Sequence, residues 1–176
     1  MQGNPLKMKM EKLIRELEAL IPNPCRGLPE DVFLFISRTT PLINVDLLIQ
    51  DEEKRTLLTW RDDGYSAPGW HVPGGILRFK EVAEERICAV AHQELLAEVE
   101  FDPAPLAIHE IIHPTRRERG HFISLLYRCR LRTALDPSRR FQEENPRRDA
   151  WMWHSHFPDH MIPVHEIYRP FFKTPA

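Results

Sequence analysis

Trp70–Ala97, WHVPGGILRFKEVAEERICAVAHQELLA, is the stretch from which the fold can be read. It begins with the strand-like Trp70-His71-Val72, bends at Pro73-Gly74-Gly75, and then runs without Gly or Pro from about Lys80 to Glu98. Paired glycines after a proline let a backbone turn tightly and present its carbonyls. The run that follows predicts a helix. At 100° per residue, Ala83, Ile87, Val90 and Ala91 make one apolar stripe. Glu94, seven residues beyond Ile87, falls on that same stripe. A carboxylate there is costly unless a cation, an arginine or a bound metal compensates it. Two readings of Glu94 follow: a ligand for a cation, or a salt-bridged residue in a frayed last turn.

Upstream, Leu6, Met10, Leu13, Leu17 and Leu20 step at helical spacing with Lys and Glu between them, and Pro22 ends the pattern. Packing of this stripe on its own domain is the expectation; a homodimer arm is the alternative. Asn23–Gly27 is a linker, which divides the chain into an N-terminal helical segment, 1–27, and a domain, 28–176. Pro29-Glu30-Asp31 suits the first turn of a short helix through about Ser37. Ile43–Ile49 and Arg55–Trp60 are β-rich and flank the charged turn Asp51–Lys54.

Downstream, Phe101–Pro105 is a loop, and strands over Leu106–His113 and Gly120–Arg132 are joined by the basic Arg116-Arg117-Glu118-Arg119. Such a tip either draws in phosphate or is simply solvated. A polar loop, Phe141–Asp149, precedes the strand-like Ala150–Trp153, and Pro163 opens a short closing helix that Pro170 ends. His154, His156, His160 and Asp159 lack the i, i+4 spacing and Cys partners of familiar zinc sites. They read as cleft-lining or solvated groups.

At 176 residues the chain suits one domain with a real core and an appended helix. A net charge of −2 argues against general attraction to nucleic acid or a membrane. Hydrophobic content of 42% and a mean hydropathy of −0.43 are ordinary for a soluble globular protein. No apolar run reaches bilayer length, and MQGNPLKMKMEK carries no signal-peptide core. Cys25, Cys88 and Cys129 are widely spaced and read as reduced thiols, which points to the cytoplasm.

Gly75, Glu81 and Glu94 carry a resemblance. The stretch is similar to the Nudix box: a glycine, five residues, a glutamate, seven more, then Arg-Glu-hydrophobic-any-Glu-Glu-any-Gly. Ala89, Val90, Gln93 and Leu96 stand where that pattern has its arginine, two of its glutamates and its last glycine. The box is degenerate, with Glu94 the surviving glutamate of its second half. Within the Nudix hydrolase superfamily, the GDP-mannose mannosyl hydrolases, which also keep a reduced box, are the branch the chain most resembles. The likeness is carried by Thr40–Asp46, Leu57–Arg61, Gly69–Gly75 and Glu94-Leu95.

The resemblance implies an α/β/α sandwich, a mixed curved sheet between helices, with strands 43–49 and 55–60 as a hairpin and an extra N-terminal helix. It implies an Mg²⁺-dependent hydrolase (Mn²⁺ as the alternative ion) of a nucleoside diphosphate derivative, a nucleotide sugar first. In this chain the ion falls to the Gly75 carbonyl, Glu94, and Asn145 or Glu144. Substrate contacts fall to Asp46, Arg61 and Arg78. Glu94, Arg78 and His113 are the catalytic candidates, with His121 and His154 as other bases, and Glu98 joins the Glu94 face if the helix runs on past Leu96. The partner implied is a small nucleotide. A binding module that has lost catalysis, or a pyrophosphohydrolase attacking phosphorus, are the other readings.

Overall fold

A computed structural model describes residues 4–64 and 67–173; the ends of the two expected segments, 1–3 and 174–176, lie outside them. The helices are α1 (Pro5–Ala19), α2 (Glu30–Ser37) and α3 (Ala83–Val90). The strands are β1 (Leu42–Ile49), β2 (Thr56–Arg61), β3 (Gly69–His71), β4 (Gly74–Ile76), β5 (Val99–Phe101), β6 (Ala107–Ile112), β7 (His121–Leu131) and β8 (Trp151–His154). A π turn, Ala91–Leu95, continues α3, and a 3₁₀ segment, Pro163–Phe171, closes the chain.

The strands form two sheets. The first runs β4-β1-β7-β5, mixed, and β6 pairs with the first half of β7 on the edge whose second half holds β5. The second is antiparallel, β3-β2-β8. β1 is the hub. Its neighbours are parallel β7 and antiparallel β4, and both of its faces are covered, as its nearly continuous apolar run requires. Val45, Leu47 and Ile49 pack with Ile87, Val90 and Leu95 of the box helix. Leu48 belongs to a second cluster with Leu58, Trp70, Leu126 and Tyr168.

Five expectations need correction. The strands expected as one hairpin, β1 and β2, lie in different sheets and touch in strand geometry only at the Gln50–Thr56 bridge. With both edges of β1 taken, β2 finds its partners in β3 and β8. The box helix starts three residues later than expected, because Lys80 takes a positive φ of 59°. It also stops where the box places its glycine: Leu96 adopts the left-handed cap at φ 52°, so Glu98 does not extend the Glu94 face and leads instead into β5. Finally, α1 buries none of its residues, and Leu6, Met10, Leu13 and Leu20 each stay more than half exposed, so its stripe does not pack on its own domain. Pro170 is accommodated within the closing 3₁₀ segment instead of ending it.

Candidate active site

β4 lies antiparallel on β1, with Gly74 opposite Asp46 and Gly75 opposite Val45. A Cβ on Gly74 would stand 2.1 Å from Asp46 Oδ1; one on Gly75 would stand 2.8 Å from Val90 Cγ2 and 3.2 Å from Arg86 Cδ. Close approach, and no positive φ, is what requires these glycines. Where the paired glycines suggested a tight turn, a short strand runs between β1 and α3. Buried Arg86 forks onto Glu81, at 2.7 and 2.9 Å, beneath that strand, so the first glutamate of the box works as a structural clamp.

Against β4 opens a cleft of about 450 Å³. Glu94 enters it from the π turn, a helix distortion often found at functional sites. Its Oε1 accepts from Gly74 N–H at 3.2 Å and its Oε2 from the Thr59 hydroxyl at 2.9 Å. Burial pushes its pKa up to about 8; the hydrogen bonds from Gly74 and Thr59 oppose the rise, and the negative charges of Asp149 and Asp46 add to it. Thr59 Oγ1 also lies 2.9 Å from His71 Nε2. With its own proton given to Glu94, that oxygen accepts from the imidazole. Burial, then the charges of His165 and Arg61, lower the His71 pKa well below the ordinary value, so its 3.5 Å approach to Glu94 is a neutral contact at pH 7 and not an ion pair. His165 is a second neutral imidazole on the cleft: its Nδ1 accepts from Val72 N–H at 3.0 Å, and burial pushes its pKa down to about 3.

Asp46 also lines the cleft, 1% exposed, and is saturated by donors: Asn44 Nδ2 at 2.8 Å, Tyr168 OH at 2.6 Å and the Ser124 hydroxyl. Burial raises its pKa against those hydrogen bonds. Arg61, Gly75 and His113 line the cleft as well. Arg61 is bound to Asp63 at 2.6 and 2.7 Å, and His113 Nδ1 sits 3.4 Å from the Thr115 amide. The basic tip between β6 and β7 contributes Arg116 and Arg119 to the lining, while its Glu118 binds Arg38.

Two candidates are not brought here. Arg78 is exposed and off the cleft lining; its N–H donates to Glu81 Oε2 at 2.9 Å, and a Cβ added to Gly27 would lie 3.9 Å from its Nε. Asn145 is exposed in a separate recess, its N–H turned back to the Gln142 carbonyl. The loop delivers Asp149 to the cleft instead: its N–H donates to the Trp60 carbonyl at 2.8 Å and its φ is 60°, which fixes the residue at the cleft edge. Of the alternative bases, His121 faces Glu110 at 3.2 Å away from the cleft. His154 is buried edge-on to Trp70, with its pKa pushed down to about 4 by that burial.

Hard oxygen donors suit Mg²⁺ or Mn²⁺. The chemistry here fits such an ion: of the four carboxylates on the cleft, Asp46 is saturated by donors and Asp63 is paired with Arg61, while Glu94 and Asp149 repel one another, which helps keep Glu94 protonated until a cation relieves it. The donor set is a lean one, because among the described residues no three His, Cys, Asp or Glu side chains are grouped to share a metal.

The NUDIX domain family model matches residues 40–173. The chain belongs to the Nudix family. A curated relative, the low-salt glycan biosynthesis protein Agl8 of Haloferax volcanii, is 32% identical over 79 residues, 45% of this chain and 50% of that protein. The chain thus spans about half the length of that relative. Two solved structures share the fold. A candidate asymmetric diadenosine tetraphosphate hydrolase from Jonesia denitrificans gives a TM-score of 0.56 at 19% identity, over 73% of this chain and 89% of that one. A MutT Nudix hydrolase from Burkholderia pseudomallei gives 0.56 at 20%, over 76% and 99%.

Within the Nudix box, the lost glutamate at Val90 has become core: Val90 is 2% exposed and packs under Gly75. Sequence reasoning passed over Thr59, His71, His165 and Asp149. His71 stood in the quoted stretch itself, and Asp149 directly precedes a strand, where a loop end can reach a cleft; Thr59 and His165 carry no such local signal.

Proposed function

We propose that the protein is an Mg²⁺-dependent hydrolase of a nucleoside diphosphate derivative, with a nucleotide sugar as the leading substrate class. Glu94, Asp149 and the Gly75 carbonyl hold the ion, which when bound offsets the diphosphate charge and stabilises it as a leaving group. Arg61 and Arg148 add charge-assisted bonds to phosphate oxygens; a guanidinium has enough N–H groups for Arg61 to keep Asp63 as well. His113 takes a proton from the attacking water. Water adds to the sugar carbon, the bond from that carbon to the diphosphate oxygen breaks, and the free sugar and nucleoside diphosphate leave.

The observation that carries this reading is Glu94 facing a second carboxylate in an arginine-bordered cleft of nucleotide size. The buried Val90 favours attack at carbon, which needs fewer metal-held oxygens than attack at phosphorus. The name of Agl8, glycan biosynthesis, is in keeping with a sugar-bearing substrate. A screen of nucleotide sugars with Mg²⁺ and Mn²⁺ tests it, run in ¹⁸O-water. Label in the sugar is the expected result. Label in phosphate would move the attack to phosphorus, and nucleotide binding without any turnover would leave a binding module.

A further inference from the structure

Beside the cleft, the loop from β7 to β8 encloses a recess of about 250 Å³. Arg139, Arg140, Arg147 and Arg148 line it, with the amides of Gln142 and Asn145. No carboxylate does. In a chain whose net charge is −2, four guanidinium groups about one small hollow are a local concentration that repels itself and attracts an anion.

The recess is built, not draped. Trp151 Nε1–H donates to the Asp136 carbonyl at 2.9 Å, Phe141 N–H to the Trp151 carbonyl at 3.0 Å, and Ala150 N–H to the Arg147 carbonyl at 3.1 Å. These bonds pin the loop at both ends. Asp149, the nearest acid, stands 3.9 Å from Arg139 and 3.8 Å from Arg148. Arg140 and Arg147 have no ion-pair partner among the described residues. Arg148 lines both the recess and the cleft, so the two hollows adjoin.

We propose that this recess is an anion subsite that takes a negatively charged group, a phosphate or carboxylate, adjoining the nucleoside diphosphate in the cleft. The guanidinium forks of Arg140 and Arg147 match either group bidentately, and Gln142 and Asn145 supply neutral donors. The preferred substrates are then those whose non-nucleotide part is itself an acid, such as a sugar uronate or sugar phosphate. It rests on the hydrolase reading above for the substrate's place in the cleft. The subsite itself does not.

Two measurements separate these. The first needs no activity. Inorganic phosphate is titrated onto the wild type and an Arg140→Gln/Arg147→Gln variant, following the Trp151 indole N–H in ¹H–¹⁵N spectra. A saturable shift in the wild type that is lost in the variant is expected; the same response in both, or none in either, overturns the subsite. The second compares kcat/KM for matched pairs, GDP-mannose with GDP-mannuronate and UDP-glucose with UDP-glucuronate. A preference of at least tenfold for the uronate, narrowing below threefold in the variant, identifies a substrate-borne anion. Saturable phosphate binding with no uronate preference identifies a free anion as the occupant. If wild type turns over no member of either pair, the hydrolase reading fails and the phosphate titration alone decides the subsite.

Discussion

Asp46 and Glu94 are two carboxylates of one cleft, both flanking Gly74, both with a raised pKa, yet they are held in opposite ways. Asp46, at 1% exposure, takes hydrogen bonds from Asn44, Ser124 and Tyr168. Glu94 keeps 16% of its side chain exposed, takes one bond from the Gly74 amide and one from Thr59, and feels the charge of Asp149. The first is a satisfied internal anchor between β1, β7 and the closing 3₁₀ segment. The second has capacity to spare and faces a like charge. Burial alone therefore does not mark a functional acid; burial with incomplete compensation does.

Replacing each acid breaks the comparison most sharply. Glu94→Gln lowers metal-dependent turnover by about 1000-fold, roughly 4 kcal/mol in barrier height, while the melting temperature stays within a few degrees. Steady-state rates beside a melting curve check this, and unchanged turnover would remove Glu94 from the mechanism. Asp46→Ala acts on the fold instead. It strands the buried hydroxyls of Ser124 and Tyr168 and the half-buried Asn44 amide, and urea denaturation should show a loss of about 3 kcal/mol; a loss under about 1 kcal/mol would mean the anchor is dispensable.

The pH dependence sharpens the contrast further. A carboxyl whose folded pKa lies above its unfolded one binds its proton more tightly when folded, so its contribution to stability falls as pH rises between the two values. For Glu94 that window runs from 4.5 to about 8. His71 and His165, depressed from 6.5, cost stability only as pH falls below that value. Between pH 6.5 and 8 the metal-free protein should therefore lose stability by up to about 1.4 kcal/mol per pH unit through Glu94, with any slope from Asp46 on top. Denaturation at several pH values checks this: Mg²⁺, or the Glu94→Gln change, should flatten the Glu94 part, and an identical slope in the variant would assign it elsewhere. The smallest effect belongs to the turn that ends the box helix. Leu96 holds φ 52° without being glycine and is 54% exposed, so Leu96→Gly should raise stability by about 1 kcal/mol in urea denaturation. A loss would show that Leu96 is held there by its contacts.

The sequence carried the fold class and the inward position of Glu94 beside the glycine strand, because helical periodicity and glycine spacing are local signals. The same locality misled elsewhere. β1 and β2 look like a hairpin from their charged turn, but the pairing of β1 with β7 spans 80 residues or so and leaves no local trace. Gly74 and Gly75 read as a turn, since a strand that needs glycine for close approach cannot be told from one by composition. Asp149 was hidden by its own loop: Glu143, Glu144 and Asn145 are equally polar, and only the bond from Asp149 N–H to the Trp60 carbonyl selects which residue reaches the cleft.

The central claim is that Glu94 gives up a proton to hold a divalent ion. Calorimetric titration of Mn²⁺ at pH 7, repeated in buffers of different ionisation enthalpy, counts protons released per ion bound. With a pKa near 8, Glu94 is mostly protonated at that pH, so close to one proton should appear per Mn²⁺, and Glu94→Gln should abolish both the release and the binding. Binding without proton release, or equal binding by the variant, would contradict the account.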